Sequence, residues 1–226
     1  MTVLAVIQAR MGSRRLPGKV MAELCGRPLI ARLVERIRQA ANVDHFVLAT
    51  TTAADDDVVA AWAAKTELRV VRGPESDVLA RYIAVLDAVP ADIVVRVTGD
   101  NPFTDAEQLD AIVARLRDAN LDYVHAPGLP DGAGVDAFTA AALRRCHARA
   151  RTPHQREHIN AFVLENPRAF RIGVYAPARR LRRPEIRLTV DTAEDLARTR
   201  AILAGFADSR PTLAEIVAFV DRTANA

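Results

Sequence analysis

Short apolar runs alternate with longer amphipathic stretches through the first half of the chain, and this alternation restricts the fold more than any other feature. The runs have the composition of buried strands and lie at residues 3–7, 46–49, 68–71, 93–97 and 123–124. Apolar strands separated by helices are typical of a mostly parallel sheet that is covered on both faces. We therefore predict an α/β fold whose ligands bind at the carboxyl ends of the strands.

The alternation is interrupted in the second half of the chain, at about residues 128–176. This segment contains a Pro-Asp-Gly turn, a helix rich in Arg and His, and a late apolar run at 170–175. We predict that it forms an inserted arm and that the sheet resumes at 187–190. Because 226 residues with 50% hydrophobic side chains can bury a single core, we predict one domain over residues 1–226.

Composition excludes several classes of protein. No apolar run reaches the roughly 20 residues that a membrane-spanning helix needs, and the first run, at 3–7, is too short for a secretory signal. The formal charge of +3 is too small to predict nucleic-acid binding, and the arginine-rich run at 179–183 has no interleaved aromatic residues. We therefore expect a cytoplasmic protein with no membrane or nucleic-acid partner.

A glycine- and arginine-rich segment follows the first predicted strand. Residues 10–19 read Arg-Met-Gly-Ser-Arg-Arg-Leu-Pro-Gly-Lys. Glycines permit close backbone approach, and Arg and Lys side chains bind phosphate oxygens, so this segment predicts a phosphate-binding loop. It is not a Walker A motif, because five residues separate Gly12 from Gly18 and Val20 follows Lys19. The chain contains only one other lysine, which makes the lysine in this loop informative.

Aspartates follow two other predicted strands. Asp100 comes after the run at 93–97, and Asp191 comes after the run at 187–190. Because the carboxyl ends of parallel strands meet at one edge of a sheet, both carboxylates can face the same cleft. Mg²⁺ prefers a few carboxylate oxygens together with phosphate oxygens and water. Asp195 is explained instead as an acid in the first turn of the following helix.

Residues 8–19 resemble the opening signature of the acylneuraminate and deoxy-octulosonate cytidylyltransferases, and most closely that of their spore-coat polysaccharide relatives. Segments 72–81, 98–102 and 187–196 resemble further parts of the same family, and 156–158 resembles an element of the spore-coat branch. The resemblance implies a Rossmann-like sheet of the nucleotide-diphospho-sugar transferase (GT-A-like) type. It also implies transfer of CMP from CTP to an acidic sugar or related acceptor, with release of pyrophosphate and Mg²⁺ as cofactor.

The resemblance also implies roles for individual residues. The residues implied to bind the nucleotide are Ala9, Arg10, Gly12, Ser13, Arg14, Arg15, Lys19, Arg72, Gly73, Ser76, Asp77 and Thr98. Those implied to be catalytic are Lys19, Arg10, Arg15 and Asp100, and those implied to bind Mg²⁺ are Asp100 and Asp191. Those implied to contact the acceptor are Asn101, Arg156, Glu157 and His158. A homodimer built around the arm is implied as well.

Other interpretations stay open at this point. A sugar-1-phosphate nucleotidyltransferase would use UTP or GTP and a phosphate nucleophile, and its phosphate loop is usually richer in glycine. A glycosyltransferase on the same sheet would need an Asp-x-Asp metal motif, which we do not find at a predicted strand end. A catalytically idle nucleotide-binding protein would have no reason to keep both aspartates and Lys19. Asp77 is explained equally well as a helix N-cap.

Overall fold

The apolar runs of the sequence form strands of one large sheet in the structure, a computed structural model that describes residues 1–206 and 210–224. The strands are β1 Val3–Gln8, β2 Glu23–Leu24, β3 Arg27–Pro28, β4 His45–Thr51, β5 Arg69–Gly73, β6 Ile93–Thr98, β7 Tyr123–His125, β8 Asp136–Thr139 and β9 Ile172–Val174. The five strands predicted in the first half of the chain are confirmed, with small shifts at their ends. β2 and β3 pair separately as a short hairpin.

The large sheet has the strand order β5-β4-β1-β6-β8-β7-β9. Strands β5, β4, β1 and β6 are parallel neighbours, β8 lies antiparallel to both β6 and β7, and β9 is parallel to β7. The predicted α/β class with a mostly parallel sheet is therefore confirmed. Because β1, β4, β5 and β6 end at the same edge, the segments that follow them can line one cleft.

Helices cover both faces of the sheet. They are α1 Leu29–Ile37, α2 Asp57–Lys65, α3 Val78–Ala88, α4 Ala106–Asp118, α5 Ala140–Arg149, α6 Pro153–Glu157, α7 Ala161–Glu165, α8 Ala193–Ala204 and α9 Leu213–Ala224. Short 3-10 helices lie at Lys19–Met21, Ala54–Asp56, Pro167–Ala169 and Arg179–Leu181. Across both described ranges, no helix combines the length and apolar composition that a membrane crossing requires.

Alternating side chains of β1 enter two separate hydrophobic clusters, because successive residues of a strand point to opposite faces. Ala5 and Ile7 pack with residues of α1 and α4, whereas Leu4 and Val6 pack with residues of α3 and α5. All four of these β1 side chains are fully buried. The central strand is thus fixed from both sides, and the loop that follows it starts from a rigid position.

The segment predicted to form an arm, residues 128–176, contributes two strands to the sheet. β8 pairs with β6 and β7, and β9 pairs with β7. β8 has only four residues, Asp-Ala-Phe-Thr, which is too short for its alternation to be recognised in the sequence. Within the predicted arm, residues 140–165 are the helical part and lie outside the strand ladder.

The prediction that the sheet resumes at 187–190 is wrong. This segment makes an isolated parallel bridge between Asp131 and Arg187 and forms no strand. Its backbone amides instead pair with loops: the N–H of Leu188 donates to the carbonyl of Asp131 (2.7 Å), and that of Val190 donates to the carbonyl of Asp100 (2.9 Å). The segment therefore runs beside the loop that follows β6, and it still brings Asp191 next to Asp100.

Candidate active site

The loop after β1 is folded back on itself by local hydrogen bonds. Gly18 has a φ of 71°, in the left-handed region that favours glycine, and its N–H donates to the carbonyl of Met11 (2.9 Å). The N–H of Met11 in turn donates to Oδ1 of Asp56 (2.6 Å), which ties the loop to the end of β4. This turn places the next residue, Lys19, at the carboxyl edge of the sheet.

Lys19 lies between two carboxylates at the carboxyl edge of the sheet. Its Nζ donates to Oδ2 of Asp100 (2.6 Å) and to Oδ1 of Asp191 (2.8 Å), and the residue is only 8% exposed. Gly99 allows the end of β6 to lie close to the start of the phosphate loop, because a Cβ at that position would lie 2.7 Å from Cβ of Ala9. The sequence predicted Lys19 in the phosphate loop and the two aspartates at strand ends facing one cleft, and the structure brings all three side chains together.

Asp191 is held by three cations. Besides Lys19, Nη2 of Arg15 lies 3.0 Å from its Oδ1, and Nη2 of Arg187 donates to its Oδ2 (2.7 Å). The same guanidinium of Arg187 also binds Asp131 (2.9 Å) and Asp195 (3.0 Å). Sequence analysis missed Arg187 as a positioning residue for Asp191. Its position four residues before that aspartate was a signal that could have indicated the contact.

The cations decide the protonation state of Asp191. Partial burial raises the pKa of its carboxyl, but the hydrogen bond and charge of Lys19, together with Arg187 and Arg15, outweigh this effect and leave the pKa below its usual range. Asp191 is therefore ionised at neutral pH. An ionised carboxylate beside Asp100 is what binding of a divalent cation requires.

Asp195 is the buried anchor of the same network. It is 3% exposed and accepts hydrogen bonds from Arg187 and Arg198 and from the backbone N–H groups of Asp191 (3.0 Å) and Thr192 (3.1 Å). Burial raises the pKa of this carboxyl, but the Arg187 and backbone hydrogen bonds outweigh it and hold the pKa far below its ordinary value. The prediction that Asp195 is a first-turn helix acid is confirmed, since it completes a capping box at α8.

We predict that Asp195→Asn lowers the free energy of unfolding by about 1–3 kcal/mol at pH 7, the range for hydrogen bonds to charged groups. Because the folded pKa lies below the unfolded value of about 3.9, this contribution is complete above about pH 5 and declines progressively as the pH falls from there toward the folded pKa. Urea unfolding of both proteins from pH 7 to pH 3 measures the difference. A difference that stays constant down to pH 3 would contradict the depressed pKa, and Asp87→Asn, at an exposed ion pair, is the control.

Two adjoining cavities open at this edge of the sheet. A cleft of about 370 Å³ lies above β1 and the phosphate loop. A larger cavity of about 500 Å³ lies beyond β6. The residues that line both are Arg96, Thr98, Asp100 and Asp191. The paired aspartates therefore stand where the two cavities meet, so a ligand in each can approach the same carboxylates.

Most predicted residues line the smaller cleft. Those that do are Ala9, Arg10, Ser13, Arg14, Arg15, Lys19, Thr98, Asp100, Glu157, His158 and Asp191. Asn101 lines the larger cavity. Gly12, Arg72, Gly73, Ser76, Asp77 and Arg156 line neither cavity. Glu157 and His158, predicted on the acceptor side, thus lie in the same cleft as the phosphate loop.

Local contacts explain why several predicted residues lie outside the cleft. The guanidinium of Arg72 donates to the carbonyls of Thr51 (2.7 Å) and Ala53 (2.8 Å) and to Asp57, so it joins β5 to the segment after β4. Asp77 caps α3 by accepting from the N–H of Ala80 (2.8 Å). The N-cap interpretation of Asp77 is therefore confirmed.

Two further predicted residues serve as supports behind the cleft. Arg156 is held by Asp77 (3.4 Å) and by the carbonyl of Ala150 (3.0 Å). Gly73 leaves room for Arg81, because a Cβ there would lie 2.9 Å from Cγ of Arg81. These contacts fix the walls of the cleft from outside it.

Sequence analysis missed several residues of the cleft. They are Gln8, Val20, Val78, Arg81, Arg96 and Gly99. Arg81 is 3% exposed, and its Nη1 donates to the carbonyls of Pro74 (2.6 Å) and Glu75 (3.0 Å), which fixes the loop after β5. Arg96 is a cation inside an otherwise apolar strand. That departure from the strand pattern was a usable signal.

Asp100 and Asp191 fit a divalent metal that is shared with a ligand. Both carboxylates already converge on one cation, the ammonium of Lys19. Two carboxylates suit Mg²⁺ when phosphate oxygens and water supply the other ligands. Within residues 1–206 and 210–224, no group of three or more His, Cys, Asp or Glu side chains could hold a metal without such help.

The parallel sheet, the cation-rich cleft and the paired carboxylates at the strand ends define an α/β nucleotidyltransferase. The sequence profile of the family described as cytidylyltransferase matches residues 4–218, so the chain belongs to the cytidylyltransferase family. The protein is a CTP-dependent nucleotidyltransferase.

Three known proteins illustrate this similarity. The chain is 35% identical to the spore coat polysaccharide biosynthesis protein SpsF of Bacillus subtilis, over 99% of this chain and 96% of that protein. It is 30% identical to the 3-deoxy-manno-octulosonate cytidylyltransferase of Anaeromyxobacter dehalogenans, over 89% and 98% of the two chains. The solved structure of a cytidylyltransferase from Leptospira borgpetersenii superimposes with a TM-score of 0.93 and 28% identity, covering 100% of this chain and 96% of that one. The family resemblance predicted from the sequence is confirmed.

Proposed function

We propose that this protein transfers CMP from CTP to a hydroxyl group of an acidic sugar, with release of pyrophosphate, in the synthesis of polysaccharide precursors. The observation that carries the proposal is the contact of Lys19 with Asp100 and Asp191 at the junction of two cavities. The names of the relatives support it, because one belongs to polysaccharide biosynthesis and another acts on 3-deoxy-manno-octulosonate.

The smaller cleft suits the triphosphate of the nucleotide. Its basic lining residues are Arg10, Arg14, Arg15, Lys19, Arg81 and Arg96. Its acidic lining residues are Asp100, Glu157 and Asp191. This excess of positive charge favours a polyanion. Arg10, Arg15 and Lys19 hold the phosphates in the proposed complex, and Ala9 and Ser13 border them at the same loop.

Asp100 and Asp191 would hold Mg²⁺ between them and the triphosphate. When bound, the ion supplies charge neutralisation at the α-phosphate and lowers the pKa of a coordinated hydroxyl. The two carboxylates would hold it in the cleft, and Arg187 keeps Asp191 oriented. Lys19 contributes a compact point charge to the phosphate oxygens.

The proposed reaction is a single displacement at the α-phosphorus of CTP. The acceptor oxygen forms a bond to that phosphorus, the bond from the α-phosphorus to the bridging oxygen of the β-phosphate breaks, and pyrophosphate leaves with the electron pair. The hydroxyl proton is released to solvent, and we assign no side chain as general base. Catalysis then comes mainly from positioning and electrostatic stabilisation by the cleft.

We predict that CTP binds at least about tenfold more tightly than UTP, GTP or ATP, a difference of about 1.4 kcal/mol. The reason is that the chain belongs to a family of CTP-using enzymes and has a cleft of nucleotide size beside the phosphate loop. Isothermal titration calorimetry with each nucleotide and Mg²⁺ measures the four dissociation constants. Tighter binding of UTP or GTP would refute the cytidylyl assignment.

The homodimer, the cytoplasmic location and the single domain with an arm stay predictions from the sequence and its family resemblance. Glu157 and His158 line the smaller cleft, so we propose that they approach the acceptor from the nucleotide side. Asn101 lines the larger cavity and we propose that it contacts the acceptor there.

A further inference from the structure

The larger cavity contains one cation that no part of the predicted site included. Arg96 lies in the middle of β6, between the apolar residues Val95 and Val97, and lines both the cleft and the cavity. It is therefore a positively charged side chain that borders the junction on the side of β6. A cation in a buried strand is costly unless its charge is used or paired.

The guanidinium of Arg96 is partly paired and rigidly held. Its Nη1 donates to Oδ2 of Asp136 (3.0 Å), and Asp136 also accepts from the hydroxyl of Tyr123 (3.1 Å) and from Nδ2 of Asn160 (3.3 Å). Its Nε is buried and has no hydrogen-bond partner among the described residues. The contact with Asp136 thus fixes the plane of the guanidinium and leaves part of its donor capacity unused.

The remaining nitrogen is the one that a ligand can reach. Nη2 of Arg96 makes no hydrogen bond within the described part of the chain, and it is not among the enclosed unpartnered atoms. The side chain as a whole is 20% exposed. Since the residue lines both cavities, this exposed part of the guanidinium faces the space between them.

The charges of the larger cavity make Arg96 distinctive. Its acidic lining residues are Asp100, Asp131, Asp136 and Asp191. Arg96 is the only Arg or Lys among the described residues that line it. The four carboxylates have cationic partners, and Arg96, the partner of Asp136, is the one whose guanidinium lines this cavity and can also bind the acid group of a ligand.

We propose that Arg96 binds the carboxylate of the acceptor and thereby selects acidic sugars. This inference rests on the proposed function. In an acidic sugar such as 3-deoxy-manno-octulosonate, the carboxylate is attached to the carbon that bears the reacting hydroxyl. A cation that binds it must therefore stand next to the reacting centre, and Arg96 lines the junction together with Asp100 and Asp191.

Arg156, which the family resemblance implied as an acceptor contact, is engaged elsewhere in this structure. Its guanidinium is occupied by Asp77 and the carbonyl of Ala150, and it lines neither cavity. We therefore assign recognition of the acceptor carboxylate to Arg96 on β6 rather than to Arg156 on α6.

The experiment compares an acid with its neutral analogue. Pyrophosphate release is measured with CTP, Mg²⁺ and either 3-deoxy-manno-octulosonate or N-acetylneuraminate, and with the carboxamide of each sugar. The variants are Arg96→Met, Arg96→Lys and the double variant Arg96→Met/Asp136→Asn, which avoids leaving the Asp136 carboxylate unpaired in a half-buried site. Arg144→Met is the control, because Arg144 forms an exposed ion pair with Asp87.

We expect Arg96→Met to lower kcat/KM for the acid by about 10- to 100-fold, the effect of losing one charge-assisted hydrogen bond, and to leave the carboxamide nearly unchanged. Arg96→Lys should recover part of the preference, and the double variant should lose it while keeping a wild-type melting temperature. The dissociation constant of CTP should stay within about twofold in all variants.

Each other result is decisive. Equal losses for acid and carboxamide, or a loss confined to CTP affinity, would overturn the assignment of Arg96 and leave the proposed function intact. A wild-type protein that binds CTP but turns over neither acid would overturn the proposed acceptor class, and this assignment with it.

Discussion

Replacing Asp100 or Asp191 by asparagine is expected to lower kcat by about 1,000-fold, at the upper end of the range for removing one preorganised electrostatic group. The amide keeps the shape of each side chain but removes the charge that a divalent cation needs. We expect a loss from either change, because both carboxylates converge on one place, the ammonium of Lys19. Turnover is measured over a Mg²⁺ titration, with circular dichroism on the same samples.

The two variants should differ in stability. Asp191 pairs with Lys19, Arg15 and Arg187, so Asp191→Asn leaves three cations facing one another without their shared anion. Among the described residues, the carboxylate of Asp100 pairs with Lys19 alone. We therefore expect Asp191→Asn to have the lower melting temperature and both to keep a folded spectrum. Near wild-type turnover by either variant at limiting Mg²⁺ would remove that residue from the metal site.

Lys19→Arg is expected to lower kcat by about 100-fold while changing the dissociation constant of CTP much less. Lys19 is 8% exposed, and its Nζ fits between oxygens at 2.6 and 2.8 Å, where a planar guanidinium is too bulky for the same contacts. The positive charge remains, so ground-state attraction for the triphosphate survives. An interaction that tightens in the transition state is lost, and this appears in kcat.

The chain offers a matched control for this substitution. Lys65 is the other lysine of the sequence, and it lies exposed at the last residue of α2, far along the chain from the phosphate loop. Lys65→Arg should leave kcat and the CTP dissociation constant unchanged. Steady-state kinetics with CTP varied and acceptor saturating compares the two variants. An unchanged kcat for Lys19→Arg would mean that Lys19 is an ordinary phosphate-loop cation.

The parallel half of the sheet could be predicted because its strands are buried on both faces and therefore are nearly continuous apolar runs. The antiparallel β8 could not, because its four residues begin with Asp136 and carry no alternation long enough to detect. The segment 187–190 was also predicted to belong to the sheet, although it forms no strand. Only the packing of its amides against the loops of Asp131 and Asp100 distinguishes it.

The centre of the site was predictable for a simple geometric reason. Lys19 and Asp100 lie in the segments that follow neighbouring parallel strands, β1 and β6, whose ends share one edge, so both side chains could be expected at that edge. Asp191 reaches the same place by a route the sequence did not reveal, since the amide of Val190 pairs with a loop rather than a strand.

The periphery of the site was not predictable from motif position alone. Arg72 lies in a segment that resembles the family pattern, yet its guanidinium binds backbone carbonyls behind the cleft. The backbone carbonyls that can accept a hydrogen bond from an arginine depend on how the loops pack. That packing is decided by tertiary structure and not by the motif. Arg96 and Arg187 were assigned no role from the sequence, although a charge inside a buried strand, such as that of Arg96, is usually paired for a purpose.

Product analysis tests the central claim most directly. The protein is incubated with CTP, Mg²⁺ and 3-deoxy-manno-octulosonate or N-acetylneuraminate, and the products are identified by mass spectrometry alongside a pyrophosphate assay. The account predicts a sugar linked through one phosphate to cytidine, formed in equal amounts with pyrophosphate, and none from Asp100→Asn. A sugar linked through two phosphates to a nucleoside, formed only when a sugar 1-phosphate and UTP or GTP are supplied, would contradict it.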